Sequence, residues 1–144
     1  MAVEIREEPV SFNLHGISGD VPDRNYAAAG FKLMEGLWPL IKENALTTTG
    51  LNYWVYNGCD RMSTCVELKD GSTSDPFERV PVELGRYAYY KHVGPYDGLR
   101  QAYSAIDDAI ASRGLTRSGV AVEKYGDWTE DASKLVTEVF VGLI

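Results

Sequence analysis

The stretch GLNYWVY at residues 50–56 recurs in pattern as GVAVEKY at residues 119–125, so that position 50 is equivalent to position 119. The residue numbers of the two stretches differ by a constant offset of 69. In both stretches the side chains alternate in character along the chain, which is typical of a half-buried β-strand. A match between two distant strand patterns at a fixed offset predicts that the chain contains two copies of one structural unit.

The same offset links two helical patterns that precede these strands. In each pattern, residues at i, i+1, i+4 and i+8 form one face of a helix. These residues are Leu33, Met34, Leu37 and Ile41 in the first copy, and Ala102, Tyr103, Ile106 and Ile110 in the second. Downstream, residues 62–68 match residues 135–141 with Thr64 equivalent to Thr137, so the offset grows to 73 and predicts a four-residue insertion in the last hairpin.

Each half is therefore predicted to run strand, helix, strand, strand. The predicted strands cover residues 4–14, 51–57 and 62–69 in the first half and 82–93, 120–125 and 135–143 in the second, with helices at 25–44 and 97–113. We expect Pro39 to kink or interrupt the first helix, and Gly114 to end the second in a left-handed conformation. The polar residues 70–79 have the composition of a linker. One domain over residues 1–144 is expected, with repeats at about 1–69 and 80–144.

Composition and charge exclude several classes of function. The chain has 144 residues, of which 44% are hydrophobic, enough for a globular core. Its net charge is −7 and its fourteen basic residues are scattered, so we expect no direct contact with nucleic acid, which needs clustered lysine and arginine.

The sequence carries no signal for secretion, a membrane or a metal. The first ten residues are charged where a signal peptide is apolar, and no segment has the length of a membrane span. We therefore expect a cytoplasmic protein. Reduced thiols are favoured for Cys59 and Cys65, with one strained disulfide as the alternative. Together with His15 and His92 they match no common zinc spacing, so no metal and no cofactor are expected.

Alternation along the strands predicts which side chains face the helices. The helix-facing set is predicted to be Leu51, Tyr53, Val55, Val120, Val122, Leu135, Thr137, Val139, Val141 and Leu143. The opposite face is then predicted to carry Asn52, Trp54, Tyr56, Cys65, Glu67, Ala121, Glu123, Tyr125, Val136, Glu138, Phe140 and Gly142. Large rings mixed with carboxylates are explained equally well by packing under loops and by a ligand pocket.

Three short motifs in the second half resemble the GyrI-like family. They are HVGPY at residues 92–96 at the entry to a helix, Glu123-x-Tyr125, and TEVFV at residues 137–141. This family includes the effector-binding domains of AraC-type and MerR-type regulators such as Rob and BmrR. The first half matches through its length, the repeat and Trp54. The chain ends in Val141-Gly-Leu-Ile144, whereas family members commonly end in Ile-Pro-Val or similar.

The resemblance implies an α+β fold of two tandem βαββ (SHS2-type) repeats with pseudo-twofold symmetry. An antiparallel sheet would carry two helices on one side, with a ligand groove between the repeats. A glutamate near the centre would face flat, often cationic, hydrophobic compounds, which is the basis of multidrug binding. The predicted ligand-binding residues are Trp54, Tyr56, Tyr89, Glu123, Tyr125, Glu138 and Phe140, and either Glu123 or Glu138 is central.

Three functions follow from this resemblance. The first is a stand-alone module that binds a small aromatic or cationic ligand, with any DNA-binding domain on a separate partner. The second is a hydrolase that opens cyclopropane rings of genotoxic compounds, with Glu138 as the acid or base and Tyr125, or else Tyr89 or Tyr56, as the hydroxyl partner. The third is an inhibitor that contacts DNA gyrase.

Two residues near the second helix have simpler explanations. His92 precedes the Gly94-Pro95 turn, where an imidazole is predicted to bond the loop backbone and to have no catalytic role. Tyr96 is predicted to pack as a staple at the helix entry, with a place in the pocket wall as the alternative.

Overall fold

The computed structural model of the chain describes residues 3–58, 60–69, 77–126 and 129–144. Cys59 and most of the predicted linker lie outside the described residues, whereas Phe77 to Arg79 lie within them. In chain order the elements are β1 (Glu4–Arg6), β2 (Val10–Asp20), α1 (Tyr26–Glu43), β3 (Thr48–Asn57), β4 (Arg61–Leu68), β5 (Glu78–Leu84), β6 (Arg86–Val93), α2 (Leu99–Ser112), β7 (Arg117–Tyr125) and β8 (Val136–Leu143). Single 3-10 turns cover Pro22–Arg24, Tyr96–Gly98 and Ala132–Lys134.

The strands form one antiparallel sheet in the order β1-β6-β8-β7-β3-β4-β2-β5. The order is symmetric about the central β7–β3 pair, because each side continues with the last strand of its half and then with the strand before its helix. The predicted α+β fold with an antiparallel sheet is confirmed. That the two halves superpose about a twofold axis stays a prediction.

Local features recur at the offset that the sequence predicts. The helices end at the equivalent positions Glu43 and Ser112, and α1 continues through Pro39. The chain then takes a left-handed conformation at Ala45 (φ 50°) and at Gly114 (φ 65°), which are again equivalent positions. An irregularity in strand register follows between residues 48 and 52 and between residues 117 and 121. The two copies therefore share their turns as well as their regular elements.

The first strand of each half differs from its prediction, because each divides in two. Residues 4–14 were expected to form one strand, and the chain instead breaks between β1 and β2 at a segment containing Pro9, which has no N–H to donate. Residues 82–93 divide at Gly85 into β5 and β6. The short outer strands are then exchanged between halves: β1 pairs with β6, and β5 pairs with β2.

The last hairpin also differs from its prediction. Trp54 lies opposite Thr64 across β3 and β4, and Glu123 lies opposite Val139 across β7 and β8. Thr64 is therefore equivalent to Val139, with an offset of 75, and not to Thr137. The insertion is therefore six residues and not four. The predicted offset was two residues short because side chains alternate with period two along both strands, so a shift of two residues leaves the pattern unchanged.

Both helices lie on one side of the sheet, as predicted. Phe31 of α1 contacts Trp54, with ring centroids 5.6 Å apart, and Tyr103 of α2 bonds Glu123. Trp54 and Glu123 are opposite each other on neighbouring strands, so they share one face of the sheet. Helix α1 packs over β2 and β4, and α2 packs over β6, which leaves a gap above β3 and β7. Among the described residues, neither helix is long and apolar enough to cross a membrane.

The other face of the sheet is closed by the curvature of the sheet itself. Phe12 of β2 and Phe140 of β8 are separated by three strands in the sheet order, yet their ring centroids are 5.1 Å apart. A core forms inside this curl from Leu14, Tyr53, Val55, Cys65, Val82, Leu84, Tyr87, Tyr89, Val122 and Phe140. Burial raises the pKa of the Cys65 thiol in this core to about 12. Both faces of the central strands are therefore buried.

The predicted faces of β3 and β7 were wrong for this reason. Tyr53, Val55 and Val122 face the curled interior, and Trp54, Tyr56, Glu123 and Tyr125 face the helices. The prediction for β8 is confirmed, since Val139, Val141 and Leu143 pack with Ile106 and Ile110 of α2.

Candidate functional site

A groove runs between the two helices with β3 and β7 as its floor. Its volume is about 1080 Å³, and residues at the beginnings of both α1 and α2 line it. Both halves of the chain contribute to its walls, including Tyr26 and Phe31 of the first and Tyr96 and Tyr103 of the second. A cavity of this size between two packed units suits an organic molecule of drug-like dimensions.

The centre of the floor is formed by Trp54 and Glu123. These residues are directly opposite each other on β3 and β7. Trp54 is 7% exposed and Glu123 only 4%. A carboxylate so deeply covered has lost most of its hydration, which costs several kcal/mol unless hydrogen bonds or a counter-ion replace the lost water.

Three tyrosine hydroxyls donate hydrogen bonds to the Glu123 carboxylate. Tyr56 donates to Oε1 at 2.8 Å, and Tyr103 donates to Oε2 at 2.5 Å. Tyr125, two residues along the same strand, also donates to Oε1. Three donors directed at one carboxylate replace the hydrogen bonds to water that it loses on burial, and hydrogen bonds to a charged acceptor are stronger than those to a neutral one.

The tyrosines themselves stay protonated at ordinary pH. Burial is the main cause that raises the pKa of Tyr56 and Tyr125 far above the usual 10.0, and the negative charge of Glu123 adds to it. The pKa of Tyr103 is raised well above 10.0 for the same two reasons. The three hydroxyls are therefore fixed as donors.

Glu123 has no cationic partner in the described part of the chain. The salt bridges there join other residues, and none involves Glu123. Its three hydrogen bonds come from neutral groups, so the negative charge remains uncompensated. An uncompensated buried charge beside an open groove favours an occupant of opposite charge.

Aromatic rings in edge-to-face contact make up the walls. Trp54 contacts Tyr125, with centroids 5.7 Å apart, and Tyr125 contacts Tyr96 at 5.5 Å. On the α1 side, Tyr26 contacts Tyr56 at 5.4 Å. These contacts hold one ring against another and leave ring surface turned to the groove.

Trp54 is seated against α1 at Gly30. A Cβ atom added at Gly30 would lie 2.4 Å from two atoms of the indole ring. The absence of a side chain there lets the helix approach the tryptophan closely. The width of the groove on this side therefore depends on one glycine.

Glu138 lies on the other face of the sheet. It accepts a hydrogen bond from Tyr89 at 2.5 Å, and Lys124 Nζ lies 3.8 Å from its other oxygen. Its register partner on β7 is Lys124, whereas Glu123 is opposite Val139. Glu138 thus has a hydroxyl and a cation of its own, and the sheet separates it from Glu123.

The structure divides the predicted site residues into two groups. Trp54, Tyr56, Glu123 and Tyr125 line the groove together, whereas Tyr89, Glu138 and Phe140 belong to the curled face. The expectation that Glu138 and Tyr125 share one face of the sheet was wrong, because Tyr125 is opposite Thr137, Glu138 is opposite Lys124, and adjacent register positions alternate in direction.

Tyr103 is the main site residue that the sequence did not reveal. It was grouped with the inward face of α2, and it partly packs there beside Ile106 and Ile110 while its hydroxyl reaches Glu123. A tyrosine on an otherwise aliphatic helix face was the available signal, because a buried phenol needs a hydrogen-bond partner. Phe31 and Tyr26 were missed because nothing in the sequence orients the first turns of α1 relative to β3.

The structure shows where His92 and Tyr96 lie at the entry to the second helix. His92 Nε2 is 2.7 Å from the carbonyl oxygen of Pro95, so the imidazole bonds the loop backbone as predicted. It also fills the space beside Gly98, where an added Cβ atom would lie 2.7 Å from the ring. Tyr96 lines the groove, so the alternative of a pocket wall is the one observed.

The family of the chain follows from its sequence over the full length. Residues 1–144 match the family described as a GyrI-like small molecule binding domain. The chain belongs to the GyrI-like family. The resemblance that rests on HVGPY, Glu123-x-Tyr125 and TEVFV is thereby confirmed. A search of curated proteins gave no match to the sequence of this GyrI-like domain.

Solved structures share the GyrI-like fold at low sequence identity. The crystal structure of the EcmrR C-terminal domain has a TM-score of 0.76 at 18% identity, covering 100% of this chain and 99% of that one. The structure of SAV2435 bound to tetraphenylphosphonium has a TM-score of 0.67 at 12% identity, covering 100% and 94%. A hydrolase from Listeria innocua has a TM-score of 0.56 at 13% identity, covering 96% and 93%. These likenesses establish the fold, and the chemistry of the groove rests on its own side chains.

Proposed function

We propose that this GyrI-like domain binds flat, lipophilic aromatic cations in the groove between its helices, with Glu123 as the counter-ion. The observation that carries the proposal is the buried Glu123 carboxylate, which has three tyrosine donors and no cationic partner in the described residues. A bound cation would neutralise the charge that folding has already placed in the groove, so this part of the desolvation cost does not recur on binding.

The aromatic walls favour the same class of ligand. Trp54, Tyr125 and Tyr96 offer ring surface to the groove, and a cation over such a ring gains about 0.5–2 kcal/mol. Ring faces and one charge impose few directional demands, so compounds of different shape should bind. The similar fold of SAV2435 was solved with tetraphenylphosphonium, which is a lipophilic cation.

A charge-matched pair of variants tests the proposal. A cationic dye such as ethidium, and a neutral analogue of similar shape, are titrated calorimetrically against the protein, Glu123→Gln and Glu138→Gln. Each variant removes one negative charge and keeps its side-chain shape, but only Glu123 lies in the groove. Glu123→Gln should weaken binding of the cation by tenfold or more and binding of the neutral analogue by much less, because only the charged ligand loses its counter-ion.

Glu138→Gln serves as the control for overall charge and should bind both ligands as the parent protein does. Equal losses for the cation and the neutral analogue in Glu123→Gln would contradict the electrostatic role. A loss of affinity for the cation in Glu138→Gln as large as in Glu123→Gln would indicate that the ligand binds on the other face of the sheet.

Hydrolysis of a reactive ligand in the same groove is a second candidate. The observation in its favour is the contact of Glu123 with the Tyr56 and Tyr103 hydroxyls, since a carboxylate can take a proton from water while a neutral hydroxyl donates to the departing or opening group. A similar fold is described as a hydrolase from Listeria innocua. In this version Glu123 replaces Glu138 as the acid or base.

Mass spectrometry separates binding from hydrolysis. The protein is incubated with an electrophilic cyclopropane compound, and the ligand is recovered at saturation. A product heavier by one water, formed by the parent protein and Tyr96→Phe but not by Glu123→Gln, would establish hydrolysis. Recovery of unchanged ligand would leave the groove as a binding site.

A further inference from the structure

The charges around the groove are opposite in sign to those of the chain as a whole. Among the described lining residues, three are arginines, Arg24, Arg100 and Arg117, and one is acidic, Glu123. The chain carries a net charge of −7. As far as the described residues line it, the groove is therefore a locally cationic region with one carboxylate at the centre of its floor.

The three arginines lie towards the two ends of the groove. Arg24 ends the short turn before α1, close in sequence to Tyr26, which packs on Tyr56 near one end. Arg117 is two residues before Gly119, whose carbonyl oxygen accepts from Gly58 at that same end. Arg100 is in the first turn of α2, close to Tyr96, which contacts Tyr125 at the other end.

Glu123 lies between these ends. It is four positions along β7 from Gly119, roughly 13 Å at about 3.3 Å per residue. An elongated ligand with its cation at Glu123 therefore extends towards an arginine at either end.

Two of the arginines have no ionic partner in the part of the chain that the structure describes. Arg117 forms a salt bridge with Asp107 of α2. Arg24 and Arg100 form none within the described residues, and both are exposed. Their guanidinium groups are available for a carboxylate, sulfonate or phosphate, whose oxygens arginine can bind in bidentate fashion.

We propose that the groove prefers zwitterionic aromatic ligands, with a cation at Glu123 and an anionic substituent towards Arg24 or Arg100. This inference rests on the proposed function and specifies the class of ligand. A ligand with only a positive charge pairs with Glu123 and leaves Arg24 and Arg100 without an anion. A ligand that also carries an anion satisfies Glu123 and an arginine at once.

The expected preference is modest because the arginines are exposed. Exposed ion pairs contribute about 0.2–1 kcal/mol, which corresponds to roughly a 1.5- to fivefold change in Kd for each arginine. The preference should also weaken with salt, since charges at a solvent-exposed rim are screened over about 10 Å at 0.1 M.

Rhodamine B and its ethyl ester form a matched pair of probes. They share one ring system and one positive charge, and only the free acid carries a carboxylate. Their dissociation constants are measured by fluorescence anisotropy at low and at high salt for the parent protein, for Arg24→Gln combined with Arg100→Gln, and for Arg113→Gln. Arg113 is an exposed arginine at the end of α2 outside the groove, so its variant controls for net charge.

The parent protein should bind rhodamine B about 1.5- to fivefold more tightly than the ester at low salt, because its single carboxylate pairs with one arginine at a time. The double variant should bind the two dyes equally, and Arg113→Gln should keep the preference. Equal or tighter binding of the ester by the parent protein would overturn the inference, as would a preference that survives in the double variant.

Glu123→Gln separates this inference from the proposed function. Weaker binding of the ester in Glu123→Gln, without any preference for the zwitterion in the parent protein, would leave cation binding intact and refute the role of the arginines. Failure of both dyes to bind the parent protein at any salt concentration would count against both proposals.

Discussion

Trp54 and Glu123 lie directly opposite each other on β3 and β7, and the internal repeat makes them equivalent positions of the two halves. Any twofold relationship between the halves must therefore pass through this residue pair. Tyr56 and Tyr125 are equivalent at the same offset, and both donate to Glu123. Equivalent positions of the sequence repeat thus carry different groups at the centre of the groove, an indole ring in one half and a carboxylate in the other.

The seat of Trp54 on α1 is tested by Gly30→Ala. The new methyl group would meet the indole ring at 2.4 Å, so either the helix or the ring must move. We expect a net loss of about 1–2 kcal/mol in the free energy of unfolding, since overpacking outweighs the better helix propensity of alanine. Urea unfolding monitored by circular dichroism gives this value, and dye titration should show weaker binding.

Gly36→Ala is the matched control on the same helix. Its new methyl group would lie 3.3 Å from the end of the flexible Ile17 side chain, and we expect a gain of about 0.5–1 kcal/mol. If Gly30→Ala were as stable as Gly36→Ala and bound dye normally, the close seat of Trp54 would be refuted.

The three tyrosines around Glu123 predict an early loss of stability at alkaline pH. Burial raises the pKa of Tyr56, Tyr103 and Tyr125 above the usual 10.0, so the unfolded chain releases their protons at a pH where the folded chain keeps them. The contribution of these tyrosines to the free energy of unfolding is complete below pH 10 and falls as the pH rises above 10. Each retained proton lowers the stability by about 1.4 kcal/mol per pH unit, or roughly 4 kcal/mol for all three.

Urea unfolding between pH 9 and 11 measures this slope, and tyrosinate absorbance in the near ultraviolet follows the ionisation. Tyr103→Phe should reduce the slope by about one proton. Ionisation of all nine tyrosines of the native protein near pH 10 would contradict this prediction.

The pairing of β2 with β4 is tested by Gly16→Ala. A Cβ atom at residue 16 would lie 1.9 Å from the carbonyl oxygen of Thr64, and backbone in the middle of a sheet has little room to shift. We expect a loss of about 3 kcal/mol or more, visible as a large fall in Tm. Gly85→Ala is the control, since nothing lies within 4 Å of its added atom, and it should change stability by less than about 0.5 kcal/mol. Similar melting temperatures for the two variants would contradict the described register.

The helix ends offer a test of the repeat. Ala45 has φ 50° where the second half has Gly114 at φ 65°. Left-handed backbone costs an alanine about 1–2 kcal/mol and a glycine almost nothing, so Ala45→Gly should stabilise the protein by roughly 0.5–1 kcal/mol. Gly114→Ala should destabilise it by a similar amount. Chemical denaturation measures the change in stability of each variant. Changes of the same sign would mean that the two turns are not equivalent.

The sequence by itself determined the repeating architecture. The alternation in residues 50–56 and 119–125, and the helical spacing of the residues before them, reflect periods of 2 and 3.6 that each element imposes locally. The left-handed conformation of Gly114 after the second helix was also predicted, whereas that of Ala45 was not. The family motifs and the packing of Val139 and Val141 on α2 were likewise accessible before any coordinates.

Only the tertiary structure decided which carboxylate belongs to the groove. Alternation shows that Glu123 and Val122 point to opposite faces, but both side chains are buried, Glu123 at the floor of the groove between the helices and Val122 inside the curled sheet. Apolar and aromatic side chains are therefore stable on either face, and the sequence pattern alone does not orient the strand. The curl that brings Phe12 to Phe140, and the position of α2 that brings Tyr103 to Glu123, depend on packing between residues far apart in the chain. These long-range contacts place Glu123 among three tyrosines and leave Glu138 paired with Lys124 on the other side.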